Sequence, residues 1–328
     1  MGQLLVVKNL ESQNRSVLID ILKPFFFLIL FFYSCRPVIK EKTIDMNWSK
    51  FDLDLPNGIE VLQGVNKKIP LKAWAAIIDL DNINITAKIL SSSDVDGVET
   101  PSSFLENNNA IIVLNGGYYI SDNSRAKHVG LLKTSGVLRE PASPSIIKED
   151  LRYYISRGAF GIRDNGTPDI AWASTYNDSI FEWDRPIANR PGYPSKSFSE
   201  NSKRHWKVFG ALHAGPILIS NGNINITVEE EVFFNTPVAG VQPRSAVGYT
   251  ENNKLILMVV DGRQPESRGV YLEELAVMLK DFNCYEAINL DGGGSSAIVA
   301  DTRLLNRPSG LSSQREIMSA IGIFYKKV

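Results

Sequence analysis

The chain has 328 residues, 44% of them hydrophobic, enough to bury one large core or two smaller ones. Lysine and arginine total 35 against 36 aspartates and glutamates, a net charge of -1, so the charge balance makes no case for nucleic acid or for an anionic membrane surface. With two cysteines, Cys35 and Cys284, a disulfide framework and a cysteine-based metal site are both excluded.

Near the start, Phe25 to Tyr33 is an uncharged apolar run, preceded by Lys23-Pro24 and followed by Ser34-Cys35. It is too short for an ordinary spanning helix, which takes ~20 apolar residues, and has the size of a signal-peptide core. A small residue directly before a cysteine resembles the bacterial lipoprotein cleavage site, at which Cys35 would be lipidated and become the mature N-terminus. The expectation is a lipoprotein-type signal segment over 1–35, export to the bacterial cell envelope, and a lipid anchor in a membrane, facing the periplasm or the surface. Phe32 stands where such sites favour leucine, and Glu11 and Asp20 are foreign to an ordinary leader. Residues 36–54, polar and charged, read as a tether, and 55–328 as the folded domain.

Ala73 to Leu80 and Ile83 to Leu90 look like the first strands, with Asp81-Asn82 as the turn between them. Ile83, Ile85, Ala87 and Ile89 alternate as in a half-buried strand. Ala110 to Leu114 is a buried strand that discharges into Asn115-Gly116-Gly117-Tyr118-Tyr119. Arg185 to Trp206, with three prolines and many serines, is a long surface excursion. Its Arg190, Tyr193 and Trp206 are available to sugar faces, though surface packing accounts for each. Phe209 to Gly222 is a passage of small residues around His213, and a lone histidine beside a strand is more often a satisfied core group than a catalyst.

Gln242 to Tyr249 and Leu255 to Val260 read as two strands of a hairpin, turned by Asn252-Asn253. Arg244 is conspicuous in the first, placed either to hold a phosphate or carboxylate through two parallel hydrogen bonds or to form a salt bridge with Asp261 or Asp291. Asp261-Gly262 turns the chain out of the second strand, and Asp261 and Arg263 leave it together. Leu272, Leu275, Ala276, Leu279 and Phe282 form an apolar stripe that predicts a helix from about Tyr271 to Phe282. Glu273 and Glu274 in its first turn suit the helix dipole. Cys284 reads as a small buried hydrophobe.

Asn289-Leu290-Asp291-Gly292-Gly293-Gly294-Ser295-Ser296 carries the most information. An apolar run delivers a carboxylate into three glycines and two hydroxyls, a setting for an anion cradle of main-chain N–H groups. No Lys-Ser or Lys-Thr follows Gly294, and the glycines are contiguous, so neither a P-loop nor a dinucleotide fingerprint fits. A tight turn after a strand is the plain alternative.

Seven of these segments occur in the order of one family: Asn115 to Tyr119, Gly215-Pro216, Pro243 to Gly248, Val260 to Gln264, Glu274-Leu275-Ala276, Asn289 to Ser296, and Asn306-Arg307-Pro308. On them the chain resembles the phosphodiester glycosidases, from about Ala110 onward. The resemblance implies a hydrolase that cleaves the glycosidic bond of a sugar-1-phosphodiester to a free sugar and a phosphomonoester. It implies Asp261, Glu274 and Asp291 as catalytic carboxyls, since glycosidic cleavage generally uses one as acid and one as nucleophile or base. Arg244 and Arg263 would hold the phosphate. Asn115, Gly116, Gly117, His213, Gly292, Gly293, Gly294, Ser295, Ser296, Asn306 and Arg307 would complete the substrate site. Its substrate partner would be a glycan, glycolipid or cell-wall polymer. The resemblance fixes no cofactor, and a divalent cation held by Asp261 and Asp291 stays open. Tyr271, Ala297 and His213-Ala214 depart from the family pattern, and Tyr271 removes the expected N-cap hydroxyl. Two other readings remain: a phosphodiesterase breaking the P–O bond, and a non-catalytic glycan-binding lipoprotein. The expected fold is α+β: a mixed, mostly antiparallel sheet core with a few packed helices in a single catalytic domain.

Overall fold

In the strand Lys254–Val260, Leu255 to Val260 is apolar without a break because both faces are buried there. Leu255, Leu257 and Val259 enter the central core with Trp74, Ala76, Ile78 and Val247. Ile256, Met258 and Val260 point the other way, onto Leu272, Leu275, Ala276 and Leu279 of the helix Leu272–Asp281. Side chains that alternate across a strand explain how one run serves two cores. Burying each large aliphatic side chain contributes roughly 1.5–3 kcal/mol.

The structure is a computed structural model that describes residues 44–121, 125–195, 203–310 and 313–327. Three larger sheets build it. The eight-stranded sheet runs in the order Asn47–Lys50, Ile59–Asn66, Leu71–Asp79, Lys254–Val260, Arg244–Tyr249, Glu286–Asn289, Ile217–Ser220, Asn223–Ile224. A seven-stranded sheet includes Arg157–Arg163 and Val208–His213, and a five-stranded sheet centres on Ile112–Asn115 and Ser319–Tyr325. Phe160, Ile162 and Leu212 from the second sheet meet Ile112, Leu114, Ile321 and Ile323 from the third in the central core. The helix Pro101–Asn108 lays Phe104 and Leu105 on the other face of the five-stranded sheet, against Val113, Val299 and Ala320. Thr100 starts that helix by accepting from Ser103 N at 3.1 Å.

Every strand ladder among the described residues is antiparallel, with two α-helices alongside, so the fold is mostly β and the expectation of a mixed sheet is corrected. The predicted hairpin forms, with Arg244 opposite Val260. Ala73–Leu80 and the following strand do not pair with each other. Leu71–Asp79 belongs to the eight-stranded sheet and Ile85–Ser91 to the five-stranded one, with Ile83 93% exposed in the turn between them. Asn47–Lys50, inside the segment read as a tether, is an edge strand paired with Ile59–Asn66. Its mostly exposed side chains gave it the composition of a linker. Trp206 is buried, its Nε1 donating to Asp169, and so is withdrawn from any sugar-facing role. Cys284 is buried and unpaired, its thiol pushed up to about 12 by burial. Cys35 and the apolar run before it lie outside the described residues, among which no helix is long and apolar enough to cross a membrane.

Candidate active site

Strand ends from two sheets converge at the predicted glycine loop. Asn115 ends a strand of the five-stranded sheet, and Asn289 ends one of the eight-stranded sheet, just before Asp291. Asn115 Nδ2 donates to Asp291 O at 2.8 Å, and Asn115 Oδ1 accepts from Ser245 Oγ and from Ala297 N. Asp291 N donates to Gly116 O at 3.0 Å, while Gly116 N and Gly117 N donate to Ser319 O and Oγ. A β-carbon built on Gly117 would lie 2.1 Å from His213 O, so this glycine is required by close packing. Asn115, Gly116 and Gly117 therefore stitch the sheets together behind the loop, and the polar groups named here are already engaged.

Asp291 sits at this seam, its Oδ1 accepting from Gly292 N at 2.9 Å. Burial pushes its carboxyl up to about 6, while Ser295, the Gly292 N–H and Arg315 favour the ionised form. Of the loop's N–H groups, Gly293 donates to Pro243 O, Ser295 to Gly292 O and Ser296 to Gly293 O. The expected cradle of free N–H groups is thus largely spent on holding the loop's own shape. Side chains at the loop add to what is left for an anion. A β-carbon on Gly293 would come within 3.2 Å of Arg263 Nη2, and one on Gly294 within 3.6 Å of Arg315 Nη1, so two guanidinium groups flank the glycines. Arg263 is oriented by Gln242 Oε1, which accepts from its Nε at 3.0 Å and also from Nη2. Ser296 Oγ and Ser295 Oγ are buried without a hydrogen-bond partner among the described residues, although Ser295 lies near enough to act on Asp291.

Other predicted residues are bonded to the framework around the loop. Arg244, 1% exposed, donates to the carbonyls of Val270, Val238 and Gly240, and makes no salt bridge with Asp261 or Asp291. Burial brings it down to about 10, opposed by Tyr118 and Glu273. Asp261 accepts from Asn306 Nδ2 and Arg307 N, both at 3.0 Å, and burial raises it to about 6 against those bonds. Asn306 also donates to Ser296 O and accepts from Ile298 N, so it braces the glycine loop against Asp261. Glu274 pairs with Arg268 at 2.8 Å and accepts from Tyr271 N at 2.9 Å. The helix start is thus supported by Glu274 three residues on, in place of the missing N-cap hydroxyl. Among the described residues no group of three or more His, Cys, Asp or Glu is placed to hold a metal ion.

Around His213, Tyr118 and Asn289 lies a buried polar set whose other members, Arg157, Glu231 and His128, escaped sequence reasoning. Tyr118 OH donates to Gly215 O at 2.9 Å and accepts from Asn289 Nδ2 at 3.0 Å. Its hydroxyl is held neutral, first by burial and then by Asp291. Arg157 lies 4.3 Å over the Phe233 ring, its Nε unpartnered among the described residues and its charge opposed by burial and favoured by Glu231. Glu231 is fully buried and accepts from Gly158 N, Ile217 N, Trp172 Nε1 and Thr227 Oγ1. His213 is driven down to about 3 by burial, then by Arg157 and His128, and is neutral at pH 7. His128 falls to about 4 through burial, against the Gly130 carbonyl. The Nε2 atoms of both histidines, like Asn289 Oδ1, have no hydrogen-bond partner among the described residues. Buried polar atoms left unpaired in a well-packed fold call for a water or a ligand. A signal was available: Arg157 heads an apolar strand as Arg244 does, and Glu231 directly precedes Val232-Phe233-Phe234.

A family model described as phosphodiester glycosidase matches residues 108–324. The human N-acetylglucosamine-1-phosphodiester alpha-N-acetylglucosaminidase is 37% identical over 207 residues, which are 58% of this chain and 35% of that protein. The bovine counterpart is 40% identical over 101 residues, 28% of this chain and 19% of the relative. The chain thus spans about a third or less of these relatives' length. Among solved structures, the zebrafish N-acetylglucosamine-1-phosphodiester alpha-N-acetylglucosaminidase catalytic domain, auto-inhibited by its pro-peptide, matches with a TM-score of 0.56 and 21% identity, over 86% of this chain and 83% of that one. A hypothetical protein from Synechocystis matches with a TM-score of 0.57 and 16% identity, over 87% and 64%. These two likenesses concern the fold.

Proposed function

Since the chain belongs to the phosphodiester glycosidase family, we propose that it hydrolyses the glycosidic bond of a sugar-1-phosphodiester, releasing a free sugar and a phosphomonoester. The observation that carries this reading is Asp291, a carboxyl raised to about 6 at the mouth of a glycine loop flanked by Arg263 and Arg315. Above that pH it is ionised and fit to attack the anomeric carbon or to take a proton from the attacking water. The C1–O bond then breaks and its electron pair leaves with the phosphate. The two guanidinium groups offset the charge that builds there, and electrostatic stabilisation of this kind is commonly the largest catalytic contribution. Phosphate is already a good leaving group, so the demand for a strong general acid is small. The buried face of Tyr118, Asn289, His213 and Arg157 supplies neutral and cationic polar groups suited to sugar hydroxyls.

Hydrolysis of a panel of sugar-1-phosphodiesters in 18O-labelled water tests the proposal. Label in the free sugar supports it, label in the phosphate assigns P–O cleavage instead, and no turnover across the panel favours a glycan-binding protein. We also propose that the domain is exported and held at the bacterial envelope by a lipid on Cys35. The apolar run Phe25 to Tyr33 and the Ser34-Cys35 pair support this.

A further inference from the structure

A cavity of about 730 Å3 lies apart from the glycine loop, with the edge strand Ile85–Ser91 and the segments 125–127 and 132–140 contributing to its wall. Three cations line it, Arg125, Lys127 and Arg139, against one acid, Glu140. All three cations are exposed, and Arg139 is anchored by its Nε to Thr134 Oγ1 at 3.2 Å. Among the described residues, the rest of the wall is hydroxyl-rich, with Ser91, Ser92, Ser93 and Ser135, and carries no aromatic ring. Neutral sugars are usually gripped by stacking on aromatic faces, so this lining is built for anions. Its volume falls in the range of a drug-sized ligand, roughly 300–1,000 Å3, and far exceeds one phosphate.

A two-stranded ribbon runs from beside the candidate active site to the cavity wall. Tyr119–Ser121 pairs with Ala126–His128, Ile120 opposite Lys127. The first strand follows Tyr118, and Tyr119 OH donates to Glu316 O, next to Arg315. The second strand carries Lys127 into the cavity wall. Three residues per strand make the ribbon ~10 Å long. Met318, also in the wall, adjoins Ser319, which backs Gly117.

Building on the phosphodiester reading above, we propose that this cavity is a subsite for the aglycone side of the substrate, and that the aglycone is a polyanionic chain of repeating phosphodiesters. One anionic group is handled at the glycine loop, and further groups along the chain are held by Arg125, Lys127 and Arg139.

The probe is a synthetic glycerol-phosphate oligomer, with neutral dextran as control, bound to the full protein at two salt concentrations. Wild type binds the oligomer and not dextran, with affinity that falls as salt rises. Arg125→Ser/Lys127→Ser/Arg139→Ser lowers oligomer affinity at least tenfold and flattens the salt dependence. It leaves kcat/KM on a small sugar-1-phosphodiester within twofold. Lys127→Glu, a single exposed charge reversal, gives the same direction if the triple variant does not fold. Equal oligomer affinity in wild type and variants, no binding by wild type, or equal binding of dextran overturns the subsite. Failure of the catalytic reading is distinguishable: wild type then turns over no small diester, while oligomer binding still depends on the three cations.

Discussion

Asn115 and Asp291 stand 176 residues apart in the chain and are joined by one hydrogen bond, from Asn115 Nδ2 to the main-chain carbonyl of Asp291 at 2.8 Å. The same amide is held by Ser245 and Ala297. Asn115→Ala leaves these buried partners unpaired, each at a cost of about 1–3 kcal/mol with incomplete additivity. Urea unfolding should show a loss of about 3 kcal/mol, and activity per folded molecule should fall because Asp291 loses its support. A variant as stable as wild type would mean that the seam is held elsewhere.

Asp291 and Asp261 are both raised by burial to about 6, above the ordinary value of 3.8. For stability the sign is that the folded chain takes up protons at higher pH than the unfolded chain. These two groups therefore make the protein more stable as pH falls from about 7 towards about 4. For activity the sign is opposite if ionised Asp291 acts: kcat/KM should fall below about pH 6. Asp291→Asn should lower turnover by orders of magnitude with little change in Tm. A destabilised but fully active Asp291→Asn would end its catalytic assignment.

The two arginines named from sequence should separate cleanly. Arg263→Lys keeps the charge at an exposed position but loses the planar fork, so kcat/KM should drop about tenfold or more while Tm holds. Arg244→Lys cannot reach three carbonyls at once, and stability should fall by about 2–4 kcal/mol. Equal effects of the two on Tm and on kcat/KM would contradict these separate roles.

Glu274→Gln removes the charge that meets Arg268 and the start of the helix Leu272–Asp281. The expected outcome is a stability loss of about 1–2 kcal/mol with turnover per folded molecule unchanged. A large fall in kcat at unchanged stability would return Glu274 to the reaction.

If Cys35 carries the lipid, Cys35→Ala should move the protein from the membrane fraction to the soluble exported fraction. Unchanged membrane retention would remove the anchor.

The segments that converge were legible in the sequence, while their division of labour was not. The buried strands, the hairpin and the helix announced themselves through apolar runs and a helical stripe, because burial on a given face is written in the spacing of side chains. Asp291 and the glycine loop stood out because a carboxylate at the end of an apolar strand is costly without a purpose. Arg244 carried the same signal, yet its guanidinium turned to main-chain carbonyls, a partner class that leaves no mark in a sequence. Asp261 and Asn306 likewise bond to each other, so a polar residue in a motif can be there to hold the motif. The edge strand Asn47–Lys50 was missed because three of its four side chains are exposed.

The strand Ser319–Tyr325 supplies Ser319, which receives the N–H groups of Gly116 and Gly117 across about 200 residues. A chain synthesised from its N-terminus therefore carries Asn115, Gly116 and Gly117 without the Ser319 partner that backs them until this last strand is made. Such long-range pairing is slow to form, since the entropy of closing the loop must be met before the contacts exist. The seam behind the glycine loop is thus completed only once the strand Ser319–Tyr325 has been made.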